Sequence, residues 1–221
     1  IVFATTIPIV EFDNDGGSYR KNSEINEYNR AVLEHLAANW PCFYVTGNHD
    51  AQMARQVESF GITVLDGQTE AVAVNGQTLN LCGISDPLTH GTGTFAPRLT
   101  ALNEENAQQE GYSLLLAHRP EYIQQYLPGK YDVILSGHAH GGQWRIPGLL
   151  NGLLAPGQGV FPKYAGGFYE MGATAFIVSR GLAKESTRVP RLYNPPELVL
   201  VDLLPYPKKI LFSTPENRIF L

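Results

Sequence analysis

The chain has 221 residues, 43% hydrophobic and 17% charged, the make-up of one ordinary globular domain with a full core rather than a disordered or fibrous chain. A net charge of −5, with no long run of Lys or Arg, argues against nucleic acid as a partner and against adsorption to anionic membrane through a broad basic surface. Cys42 and Cys82 lie inside apolar runs and read as buried reduced thiols, and no apolar stretch of about 18 residues marks a transmembrane helix.

Ile1 begins inside a strand-like run, residues 1–5, so the chain is expected to lack something upstream. Residues 22–39 read as a helix, with Ile25, Tyr28, Val32 and Leu36 on one face behind a Ser23 cap. Strand-like runs follow at 42–46, 62–65, 71–74, 78–82, 113–117, 132–136, 174–179 and 198–203, with shorter helices at 51–60 and 121–127. Strand and helix alternate early and strands dominate later, which predicts an α/β core of packed sheets with helices outside. Residues 141–172 carry nine glycines and three prolines with little periodicity, so they read as a long loop system, ordered by its aromatic residues Trp144, Phe161, Tyr164, Phe168 and Tyr169.

Four of the six histidines stand directly after predicted strands, in Gly47-Asn48-His49-Asp50, in Ala117-His118-Arg119-Pro120 and in Gly137-His138-Ala139-His140-Gly141-Gly142. The carboxyl ends of strands in α/β sheets are where ligands bind, so the three clusters can converge. In an extended segment His138 and His140 would point the same way and face one metal. Imidazoles with an Asn oxygen suit Mn, Fe or Zn better than Ca or Mg. Around them, Asp86 reads as a cap, Trp144 and Arg145 as a packed aromatic beside an exposed cation, and Tyr193-Asn194-Pro195-Pro196 as a tight turn. Arg119 is balanced between a phosphate contact and a solvated helix start, and His90 carries no assigned role.

Taken together these clusters resemble the calcineurin-like metallophosphoesterase superfamily, whose blocks run D-x-H, G-D-x-x-D, G-N-H-[DE], a later His, and G-H-x-H. Gly137 to Gln143, Val178-Ser179-Arg180-Gly181 and Arg191 to Leu198 are similar to its bacterial membrane-associated or secreted branch. The resemblance implies a two-sheet α/β/β/α sandwich as a single domain over residues 1–221. It also implies hydrolysis of a phosphomonoester, phosphodiester or pyrophosphate bond by metal-activated water. It places Asn48, His118 and His138 on one metal and His140 on a neighbouring one, with His49 beside the phosphate as a charge-stabilising or proton-donating residue.

The first two blocks depart from the pattern. D-x-H occurs nowhere in the chain, Pro8 stands where the bridging aspartate would, and Glu11 takes the place of the acid that orients the histidine of the third block. Asp13 and Asp15 read as a polar turn. The expected domain is therefore N-terminally incomplete, missing its first strand and D-x-H block, and would hold one divalent ion or none where intact relatives hold two. The rival reading is a catalytically impaired domain that keeps the fold. A mononuclear zinc hydrolase would need a general-base Glu next to His138 and His140, and the sequence has none adjacent. The expected setting is a bacterial monomer, cytoplasmic or attached to the membrane through an upstream segment, acting on a phosphate ester.

Overall fold

Strand β2 (Cys42–Tyr44) is buried on both faces, with Phe43 and the following Val45 entering one apolar cluster and Cys42 and Tyr44 another. Successive side chains of a strand point to opposite faces, so a strand apolar at every position must be covered on both sides. β6 (Tyr112–Ala117) repeats the pattern, sending Leu114 and Leu116 into the cluster of Phe43, and Leu115 and Ala117 into a third. The three clusters are the three interfaces of a four-layer α/β/β/α sandwich. It is seen in a computed structural model that describes residues 1–4, 27–50, 52–182, 190–204, 209–213 and 218–220.

The first sheet is parallel, ordered β1 (Val2–Ala4), β2, β3 (Thr63–Val64). Its outer face packs on α1 (Glu27–Asn39) and α2 (Ala54–Glu58) through Leu33, Tyr44, Val57 and Ile62. The second sheet includes β4 (Gln68–Val74), β5 (Gln77–Ile84), β6, β7 (Val133–Ser136), β10 (Gly167–Met171) and β11 (Thr174–Val178), in the order β10-β11-β7-β6-β5-β4. Its four central strands are parallel and its two edge strands antiparallel. The outer face of this sheet packs on α4 (Thr92–Gln108) and α5 (Ile123–Tyr126), while α3 (Pro87–His90) is a single turn after β5. A two-residue hairpin, β8 (Leu154–Ala155) and β9 (Gly159–Val160), lies between β7 and β10. An antiparallel trio follows, β12 (Leu200–Leu204), β13 (Lys209–Ser213) and β14 (Arg218–Phe220).

Between the sheets lie Phe43, Val45, Leu65, Leu79, Leu81, Leu114, Leu116, Val133, Ala175 and Ile177. Each fully buried aliphatic or aromatic side chain contributes about 1.5–3 kcal/mol. That shared layer holds the carboxyl ends of β2, β6 and β7 in one fixed relation, and the site is built on those ends.

Several elements differ from the sequence reading. In α1 the buried stripe centres on Leu33 with Leu36 and Ala37, and Val32 faces solvent; Ser23 and Ile25 lie outside the described residues. α4 has no counterpart in the sequence reading, because its buried face mixes Phe95, Leu99 and Leu102 with Asn103 and Asn106. Those amides bond to the chain beyond: Asn103 Nδ2 donates to Gln125 O at 2.8 Å and Asn106 Nδ2 to Gly129 O at 2.8 Å. β10 belongs to the second sheet although it falls inside the 141–172 loop system, its pairing with β11 overriding its glycine-rich context. Cys42 and Cys82 are buried free thiols, as expected. Among the described residues no helix is long and apolar enough to cross a membrane.

Candidate metal centre

β6 and β7 are neighbours in register, Leu116 opposite Leu135, and the pairing continues one step past both strands where Gly137 N donates to His118 O at 3.1 Å. His118 and His138 therefore leave the same sheet edge side by side. From the other sheet, β2 runs on through Thr46, whose carbonyl accepts from Asp86 N at 3.0 Å and ties the two strand ends together. The turn that follows is held from inside by Asp50, which is buried and accepts from Gly47 N at 2.5 Å and from the Tyr44 hydroxyl. It delivers Asn48 to the two histidines.

Three donor atoms meet there. Asn48 Oδ1 lies 2.9 Å from His118 Nε2, and His118 Nε2 lies 3.1 Å from His138 Nδ1, with the two rings inclined at 65°. Burial pushes the His118 ring well below the ordinary imidazole range, with the charges of His138, Arg119, His140 and His49 acting in the same direction. His138 is held at about 3, by burial first and then by Arg119, His140 and His49. Both rings are therefore neutral near pH 7 and present lone pairs, the form in which imidazole binds a metal. His118 Nδ1 and His138 Nε2 are buried without a hydrogen-bond partner. Two neutral imidazoles and an amide oxygen at one point fit a divalent Mn, Fe or Zn ion. Among the described residues no three His, Cys, Asp or Glu side chains converge, so the triplet depends on its Asn oxygen and supplies no negative charge.

The loop after β7 is not the extended segment expected from His138-x-His140. Ala139 N donates to Gly137 O at 2.6 Å across His138, and His138 and His140 both take positive φ, 62° and 50°. A tight turn replaces extended alternation, because the chain must reverse directly after β7 to start the short helical turn His140–Gly142. Such φ values are costly for residues with a Cβ and persist where the surroundings impose them. Asn194, itself buried, braces the far end of this turn: its Nδ2 donates to His140 O at 2.7 Å and to Gln143 O at 3.1 Å. The 193–196 segment thus braces the histidine loop as well as turning. His140 is partly buried, its ring held at about 4 by burial, Arg191 and His49, while His49 is exposed at the rim. Glu11 and Pro8, with Asp13 and Asp15, lie outside the described residues.

The flanking residues sort differently from their sequence readings. Arg119 neither points to solvent nor stays free for phosphate: its Nε donates to Asp86 Oδ2 at 2.6 Å and its Nη2 to Asp86 Oδ1 at 3.2 Å. Asp86 also caps α3, accepting from Leu88 N at 3.0 Å, as expected. His90, left without a role, pairs with Asp66 at 2.5 Å. Trp144 is half exposed with its Nε1 donating to Pro190 O at 3.0 Å, and Arg145 bonds Asn151.

Two residues near the centre escaped the sequence reading. Glu121 places Oε1 at 3.8 Å from His138 Nε2. Arg191 donates through Nη2 to Arg180 O at 2.6 Å, while its Nε and Nη1 are buried without partners, and its charge lowers His140. Glu121 had a signal, since it stands three residues after His118 at a helix start. Arg191 opens the block Arg191 to Leu198 that the resemblance singled out, without a role of its own there.

No protein-family model matches the chain. Phosphodiesterase YaeI of Escherichia coli is 30% identical over 181 residues, 78% of this chain and 62% of that protein. The uncharacterized metallophosphoesterase YkuE of Bacillus subtilis is 27% identical over 198 residues, 85% of this chain and 65% of its own length. An uncharacterized metallophosphoesterase of Aquifex aeolicus is 29% identical over 198 residues, 85% of this chain and 70% of that protein. The chain thus spans less than two thirds of the first two. The solved structure of Haemophilus influenzae NAD nucleotidase is similar at 15% identity with a TM-score of 0.42, over 87% of this chain and 40% of that one. With its strand-end clusters Asn48-His49, His118 and His138-x-His140, the chain is similar over most of its length to these metallophosphoesterases, in keeping with the calcineurin-like pattern of its motifs.

Proposed function

We propose that this chain carries the metal-binding and phosphate-binding core of a phosphoesterase that cleaves phosphomonoester, phosphodiester or pyrophosphate bonds. The observation that carries this reading is the meeting of Asn48 Oδ1, His118 Nε2 and His138 Nδ1 at one buried point. Those three residues would hold one divalent ion, and His140 a neighbouring one. When bound, the metal supplies Lewis acidity toward a phosphoryl oxygen and lowers the pKa of water.

The chain's own residues do the rest. His49, exposed at the rim, is free to approach a substrate, stabilise its charge and give a proton to the leaving oxygen. Arg191 carries a buried, partly unpaired guanidinium whose charge is felt at His140, and so could attract the negative charge of a phosphate there. The buried walls around His118 and His138 exclude water and keep both rings unprotonated.

A second reading is favoured by Pro8 at the position of the bridging aspartate, namely a domain that binds one ion and turns over slowly or not at all. One experiment separates the two: titrate the chain with Mn²⁺ by calorimetry, then assay bis(p-nitrophenyl) phosphate with and without chelator. Metal-dependent turnover that disappears in H138A supports the enzyme. One bound ion without turnover supports the impaired domain. Turnover indifferent to chelator overturns both.

A further inference from the structure

We infer that Glu121 is a positioning residue for the metal centre, holding the His138 imidazole from the side opposite its ligating nitrogen; this rests on reading His138 as a metal ligand. His138 turns Nδ1 to the donor cluster, which leaves Nε2 facing away from it. That nitrogen is buried with no hydrogen-bond partner, and the carboxylate it faces is Glu121, with Oε1 at 3.8 Å. Glu121 Oε2 is likewise buried without a partner. Two complementary groups, a ring N–H and a carboxylate, thus stand opposite each other, the ring nitrogen and Oε2 both without a hydrogen bond.

The other partner of this carboxylate engages it only at long range. Its cationic neighbour Arg119 spends Nε and Nη2 on Asp86 and reaches Glu121 Oε1 only through Nη1, at 3.5 Å. Burial raises the Glu121 carboxyl above its ordinary range, so the site is a poor one for an idle acid. The 141–172 loop system makes room for it. Gly157, at φ 70°, sits so close that a Cβ there would overlap Glu121 Oε1. The short Pro120–Tyr122 turn fixes the backbone, with the Tyr126 hydroxyl donating to Arg119 O at 2.9 Å.

A carboxylate accepting the second N–H of a ligating imidazole fixes its tautomer and ring orientation and raises its basicity toward the ion. Loss of such partners typically weakens metal binding about 10–100-fold. Glu121 would do this for His138 from the short helical turn that follows the His118 cluster.

The test is a Co²⁺ titration of the full chain and its E121Q and E121A variants, by calorimetry and by the d–d absorption of the bound ion. The expected result is a dissociation constant about 10–100-fold weaker in E121A and an intermediate one in E121Q, whose amide oxygen still accepts a hydrogen bond. The E121A spectrum at saturation is expected to differ from wild type and to be partly restored in E121Q. Both metal-free variants are expected to melt within about 4 °C of wild type. E121A binding Co²⁺ as tightly as wild type overturns the inference. So does weaker binding with an unchanged spectrum at saturation, the mark of a purely structural loss. If the wild-type chain itself takes up no Co²⁺, the metal reading of the site falls, and this inference with it.

Discussion

The two sheets contribute to the proposed metal centre in different ways. The second sheet sends His118 and His138 from the ends of adjacent, fully paired strands, and both rings are buried. The first sheet sends Asn48 and His49 from a turn beyond β2, one partly buried and the other exposed, with Asp50 anchoring the turn. Residues that must stay unprotonated to bind a cation stand on the buried side. The residue proposed to exchange a proton with substrate stands on the open side. The difference separates holding a metal from using it, and each side can be broken alone.

The largest expected effect is on the open side. H49A is expected to lower phosphodiester turnover by about 10²–10⁴-fold, the usual contribution of a positioned acid or base, while the Mn²⁺ dissociation constant stays unchanged. Equal losses of both would place His49 among the ligands and erase the contrast. On the buried side the expectation is reversed. H138A is expected to weaken Mn²⁺ binding more than 100-fold, beyond what the loss of an outer carboxylate does. Calorimetry reads this directly. N48A, which removes a neutral oxygen from the partly buried side, is expected to cost less, about tenfold. A loss in N48A as large as in H138A would mean that the two sheets share the ion evenly.

How far this division was legible in the sequence follows from where each signal lies. His118 and His138 stand directly after apolar runs, so their placement on strand ends could be read from periodicity alone, and parallel neighbours then bring them together. A core of packed sheets with helices outside was legible for the same reason, since strands such as 113–117 are apolar at every position, whereas the four-layer sandwich was implied by the family resemblance. Asn103 and Asn106 hid α4, because amides that satisfy distant carbonyls look like breaks in an apolar stripe. The turn through His138 and His140 was hidden too, since its far end is braced by Asn194, fifty-four residues from His140. Glu121 illustrates the last limit. Its relation to His138 depends on a loop conformation and on the space beside Gly157, and no local pattern encodes either.

The smallest effect tests the buried side without any metal. Burial holds the His138 ring at about 3 and the His140 ring at about 4 in the folded chain, against an ordinary imidazole value of about 6.5 when unfolded. Between those values the unfolded chain binds protons that the folded chain refuses, so stability rises with pH across the window. It is fully present above about pH 6.5 and is lost as the pH falls toward 4, by roughly a tenfold change in the folding equilibrium per pH unit for each such histidine. Glu121, its carboxyl raised by burial, acts in the opposite direction from its ordinary range upward, so the histidine contribution is best read as a difference. Urea unfolding of chelator-treated wild type and H138N at pH 7 and pH 5 supplies it. The wild type is expected to lose more stability over that interval than H138N. Parallel losses would mean that the folded chain takes a proton on His138 as readily as the unfolded one, and the claim that burial withholds protons from this ligand in advance of the metal would fail.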